Sequence, residues 1–82
     1  MTKQELELGK FYQYPFPTIV YPLVETEQGQ WRQIMAYTPF VLLAVTIPKG
    51  FSGQFLKVLT KDGEIVNIEF SENFLEKLID KT

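Results

Sequence analysis

The stretch from Phe55 to Phe70 constrains the fold more than any other part of the chain. It reads as two apolar strands joined at Lys61-Asp62-Gly63. An Asp-Gly pair set between alternating apolar residues is the strongest short-range signal for a β-hairpin. Patterning selects the register. A loop of Asp62-Gly63 alone would set Lys57 against Ile68 and Leu56 against Glu69, opposing charge to hydrocarbon. A loop of Lys61-Asp62-Gly63, with Gly63 as a left-handed bulge, pairs Leu56 with Ile68, Val58 with Val66, Lys57 with Asn67 and Leu59 with Ile65. Leu56, Val58, Val66 and Ile68 then form a core face, and Lys57, Asn67 and Glu69 a solvated one. A slip of one residue would invert every side chain, so the longer loop is expected. The chain is thus a small antiparallel β domain.

Composition excludes several chemistries. The 82 residues suffice for one domain, spanning 1–82, with a modest core. Apolar residues make up 45% and charged residues 22%, the balance of a globular chain rather than a disordered one. The chain contains neither Cys nor His. It therefore lacks a disulfide, a thiolate nucleophile, the usual general base at neutral pH and the commonest metal ligand. No cofactor is expected, and no metal site. A formal net charge of −2 argues against nucleic-acid binding, which needs a basic face. The longest apolar run, Phe40 to Ile47, is too short to cross a bilayer, and the polar N-terminus is no signal segment. The expected location is the cytoplasm, or an infected host cell if the protein is viral.

The order of elements follows from the punctuation. Glu5 to Gln13 alternates and predicts a first strand, with Gly9 as a bulge. Tyr14 to Tyr37 carries Pro15, Pro17 and Pro22 and predicts a long structured loop, from which Trp31 to Tyr37 returns as a short strand. Phe40 to Ile47 is apolar on both faces and predicts a central strand. Pro48 to Gly53 is a turn-rich connection, and the hairpin follows. Ser71 is an N-cap candidate with Glu72 in the first turn, ahead of Phe74, Leu75, Leu78 and Ile79 at helical spacing. That segment reads equally as a short helix or as a helical turn leading into a last strand.

Two short motifs carry a resemblance. Lys10-Phe11-Tyr12-Gln13-Tyr14 is similar to the Ala-Leu-Tyr-Asp-Tyr opening of SH3 domains, with Phe11 in the Leu place and Tyr12 and Tyr14 as the two tyrosines. Ser71-Glu72-Asn73-Phe74-Leu75 is similar to their closing Pro-Ser-Asn-Tyr-Val, with Asn73 matched and Phe74 in the Tyr place. With the strand order above, the chain resembles a five-stranded antiparallel SH3-like barrel with a short C-terminal helix or 3₁₀ turn. The resemblance makes the Asp62-Gly63 hairpin the distal loop and the long proline-containing segment an enlarged RT loop. It departs at the groove tryptophan, whose place falls near Gln54-Phe55, whereas the chain's one tryptophan is Trp31. Bacterial SH3 domains and phage-encoded accessory proteins share this outline.

What the resemblance implies is a non-catalytic interaction module that binds an extended peptide or a partner subunit. Its expected contact residues are Tyr12, Tyr14, Trp31 and Phe74, with Glu25 and Glu27 steering a basic ligand. Tyr12, Tyr14, Phe16, Tyr21 and Trp31 equally read as packing for the long loop, and the two acids as a solvated loop tip. The eight Lys and Arg residues are scattered along the chain, the ordinary pattern of solubility. The alternative function is a structural or assembly subunit whose aromatics or edge strand are buried between copies.

Overall fold

The hairpin forms in the register that patterning selects. The computed structural model describes residues 2–22, 32–47 and 53–81. Strand β5 (Gln54–Thr60) and strand β6 (Ile65–Phe70) pair Leu56 with Ile68, Lys57 with Asn67, Val58 with Val66 and Leu59 with Ile65. Gly63 has φ +83°, the left-handed region, and its N–H donates to the Thr60 carbonyl at 3.0 Å. The Thr60 N–H donates to the Glu64 carbonyl at 2.8 Å, closing the loop one rung below. Leu56, Val58, Val66 and Ile68 are all buried. Of the face expected to be solvated, Glu69 is exposed and Lys57 half-buried, but Asn67 is buried. Asn67 lies opposite Tyr21 on the neighbouring strand, so that face is only partly wet.

The remaining strands wrap this hairpin. Strand β1 (Phe11–Gln13), β2 (Thr18–Pro22), β3 (Arg32–Ile34), β4 (Phe40–Thr46) and β7 (Ile79–Asp80) complete an antiparallel sheet in the order β3-β2-β6-β5-β4-β1-β7. Among the described residues there are seven strands rather than the expected five. The first strand is shorter than expected. A 3₁₀ turn occupies Lys3–Glu5, and Gly9, at φ +85°, turns the chain before Phe11. The long loop holds a hairpin of its own, β2 with β3. Its prolines fall at or outside the strand ends, Pro22 closing β2 opposite Val66. The C-terminal segment takes both forms left open by the sequence, helix α1 (Glu72–Lys77) and then β7.

Seven strands make one core because the sheet curls. In a flat sheet β3 and β1 would lie about 24 Å apart, five spacings of about 4.8 Å. Yet Ile34 of β3, Tyr12 of β1 and the buried residues of β2, β4, β5 and β6 share a single cluster with Phe74, Leu75 and Leu78. A register shift between Leu42 and Ala44 marks a bulge in β4, which bends the strand and raises its twist. The sheet is open: among the described residues its edges, β3 and β7, do not pair with each other.

Candidate functional site

The strongest pairing of expected site residues is Tyr14 with Phe74. Tyr14 follows β1, and its carbonyl accepts the Tyr37 N–H at 2.8 Å. Tyr37 holds φ +62°, an uncommon conformation for a residue with a Cβ. Thr38 precedes Pro39 and is confined to extended backbone, so the reversal falls on Tyr37. Phe74 sits in the first turn of α1. Ser71, at the N-cap, accepts the Phe74 N–H on its hydroxyl at 3.4 Å. The two rings stack with centroids 4.2 Å apart and planes 14° apart. Phe16 meets Tyr14 edge-on at 5.7 Å, and the Thr18 hydroxyl donates to the Phe16 carbonyl at 3.2 Å, fixing the turn between them.

This stack floors a shallow groove of about 300 Å³ whose wall is β2. Pro17, Ile19 and Tyr21 line it, with Glu69 of β6 on the far side. Tyr21 is held in turn by Phe55, edge-on at 6.1 Å. Glu69 reaches over Gly53: a Cβ at Gly53 would stand 2.8 Å from Glu69 Oε2. Among the described residues Glu69 makes no ion pair, so a negative charge stands free at the groove's edge.

Tyr12 does not belong to this site. It is 1% exposed, pairs with the buried Phe40, and its hydroxyl accepts the Glu7 N–H at 3.0 Å. Phe11, in the Leu place of the resemblance, is 50% exposed. Tyr12, expected as a contact residue, is turned into the core and presents no surface to a partner. Phe74 is mostly buried and contributes its stacked ring as floor. Trp31, Glu25 and Glu27 lie outside the described residues. Tyr21 belongs to the aromatic cluster that the sequence offers as docking surface or loop packing, whereas no sequence motif marks Pro17, Ile19 or Glu69 as groove residues. The β-branched and aromatic run Thr18-Ile19-Val20-Tyr21 was the available signal, masked by the flanking prolines.

A second, wider cavity of about 640 Å³ opens on the other side of α1. Phe70 and Leu75 floor it, and Lys3, Glu72 and Glu76 stand at its rim. The N-terminal segment beside it is held by polar ties. The Thr2 N–H donates to Glu5 Oε1 at 2.6 Å, and this bond, with the Thr2 hydroxyl, holds the Glu5 carboxyl below its ordinary value. Lys10 Nζ lies 3.3 Å from Glu7 and 3.4 Å from Asp80, and these carboxylates, Glu7 foremost, raise its pKa. Among the described residues no group of three or more acidic side chains converges as a metal site would require, and no helix is long and apolar enough to cross a membrane. No family model, curated protein or solved structure matches the chain.

Proposed function

We propose that the chain is a non-catalytic protein-interaction module of SH3-like type. It binds an extended peptide, or a partner subunit, in the groove floored by Tyr14 and Phe74. The observation that carries this reading is the stacking of those two rings at 4.2 Å. One belongs to the segment that resembles the SH3 opening motif and the other to the segment that resembles the closing motif. Strand order supports the same reading. β1 pairs with both β4 and the C-terminal β7, β4 to β6 form a meander, and the inserted β2–β3 hairpin stands where an enlarged RT loop would. The sheet's curl around one core is what a small barrel requires, although its edges are unpaired. The lack of His and Cys supports a binding rather than a catalytic role.

The groove is suited to apolar docking. Tyr and Phe supply large contact area with few rotatable bonds. Glu69 adds a carboxylate that favours a basic residue in the ligand. The test is an amide NMR titration of the full chain with proline-rich and basic peptides. Shifts at Tyr14, Ile19, Tyr21 and Phe74, lost in Ile19→Ser, are the expected result. A well-dispersed spectrum without shifts would reject peptide binding at this groove.

A further inference from the structure

Four large apolar side chains stand exposed in and beside the groove. Phe16 is 51%, Ile19 43%, Met35 70% and Tyr37 57% exposed. Backbone bonds and ring contacts bring them to one end of the fold. The Tyr37 N–H is bonded to the Tyr14 carbonyl, the Thr38 N–H donates to the Met35 carbonyl at 3.2 Å, and the Phe16 ring meets that of Tyr14. On the β2–β3 hairpin Thr18, Val20 and Ile34 are buried. Alternation therefore turns Ile19 and its partner Gln33 outward, and Met35, just past β3, is exposed with them.

The segments that build this surface are uncharged. No Lys, Arg, Asp or Glu occurs from Phe11 to Pro22 or from Gln33 to Ile47. The margin carries charges of both signs. Glu69 lines the groove, Lys77 stands one helical turn past Phe74 and outside the groove's lining, and Arg32 is held by Glu64. Taking about 200 Å² for a fully exposed side chain of this size, the four together offer about 400 Å² of apolar surface. An apolar patch of that extent is at the scale that marks interaction sites. It also makes up most of the apolar share of the roughly 800 Å² that each partner gives to a standard interface.

We propose that the partner in the groove is a second copy of this chain, related by a two-fold axis, with Phe16 and Tyr37 of each copy entering the groove of the other. The proposal rests on the reading of the groove as a docking site. A two-fold interface needs one patch that carries both halves of the fit. Here the hollow and the exposed rings share Tyr14. Its ring floors the groove, while its ring edge and its carbonyl hold Phe16 and Tyr37, neither of which lines the groove of its own chain. Tyr37 also matches the groove chemically. Among the described residues its hydroxyl makes no hydrogen bond, and Glu69 makes no ion pair. The phenol of one copy donating to the Glu69 carboxylate of the other satisfies both groups. A strongly charged partner finds little to pair with on this surface, whereas a second copy brings an equally uncharged one.

The test is sedimentation equilibrium of the full chain up to about 1 mM, joined to isotope-filtered NOEs on an equal mixture of labelled and unlabelled protein. The expected result is a reversible dimer, with intermolecular NOEs from the Phe16 and Tyr37 rings to Ile19 and Tyr21. Asn tolerates a left-handed backbone, so Tyr37→Asn removes one ring without adding strain, and Phe16→Ser removes the other. Each should raise the dissociation constant of the dimer about tenfold and leave the far-UV circular dichroism of the monomer unchanged. The proposal is overturned by a monomer throughout that range, by a dimer that both variants leave intact, or by NOEs confined to another surface. A monomer that instead co-sediments with phosphatidylcholine vesicles overturns it as well and gives the surface to a membrane. The two readings fail separately. If the chain is monomeric and a peptide still shifts Ile19 and Tyr21, the second copy is rejected and the groove stands. If the dimer forms through this face and no peptide binds, the proposal holds and peptide binding is rejected.

Discussion

Gly63 shows how far a single residue can carry an inference. At φ +83° it occupies a conformation that costs an ordinary L-residue about 1–2 kcal/mol and a β-branched one more. No neighbouring atom lies within 4 Å of a Cβ built there, so the cost of substitution is conformational and not steric crowding. Gly63→Val should therefore lower stability by about 2 kcal/mol, read as a drop in the urea midpoint at constant slope. An unchanged midpoint would mean the loop adopts another turn. The reversal of Phe11 and Tyr12 teaches the opposite lesson. Both are large aromatics in a three-residue strand, and nothing within those three residues says which ring turns inward. The decision belongs to β4, where Phe40 opposite Tyr12 is buried and Val41 opposite Phe11 lies on the outer face.

At the scale of elements, α1 is the piece on which core and groove both depend. Six residues form too short a helix to be stable alone. The Ser71 cap contributes on the order of 1 kcal/mol, and Phe74 and Leu75 anchor the helix in the core. Phe74→Ala should cost about 3–5 kcal/mol, which a chain of this size can hardly absorb. The expected outcome is a domain unfolded or nearly so at room temperature by far-UV circular dichroism. A mild loss would mean that the stack with Tyr14 is peripheral, and would remove the support for the closing-motif alignment. The edge strands follow a different logic. β7 is two residues long and followed by Lys81, and β3 is three residues long with Arg32 at its start. Short, charged edges resist pairing with other sheets.

At the scale of the whole molecule, the described ionisable groups with shifted pKa values, Glu5 and Lys10, set opposite pH dependences. Glu5 has its pKa lowered in the folded chain, so its contribution is present above the ordinary value of 4.5 and is lost as pH falls through the folded value. Lys10 has its pKa raised, so its contribution is present below the ordinary 10.5 and is lost as pH rises through the folded value. The joint contribution of these two groups should be constant between these limits. In Glu5→Gln the amide oxygen can still accept the Thr2 N–H, so neutral-pH stability should change little while the acid-side decline becomes shallower. An identical acid slope in the variant would show that the tie between Thr2 and Glu5 does not form in solution.

Local signals alone determined the hairpin register, the Gly63 turn, the Ser71 cap, the position of β4 and the mainly β class. Each of these is written within a few residues, where turn geometry and alternation act without help from distant chain. The hairpin inside the proline-flanked segment, the open seven-strand sheet and the burial of Tyr12 and Asn67 were decided by tertiary structure. So was the meeting of Tyr14 with Phe74. These depend on which strand lies opposite which, and a strand's two faces become unequal only once its neighbours are in place.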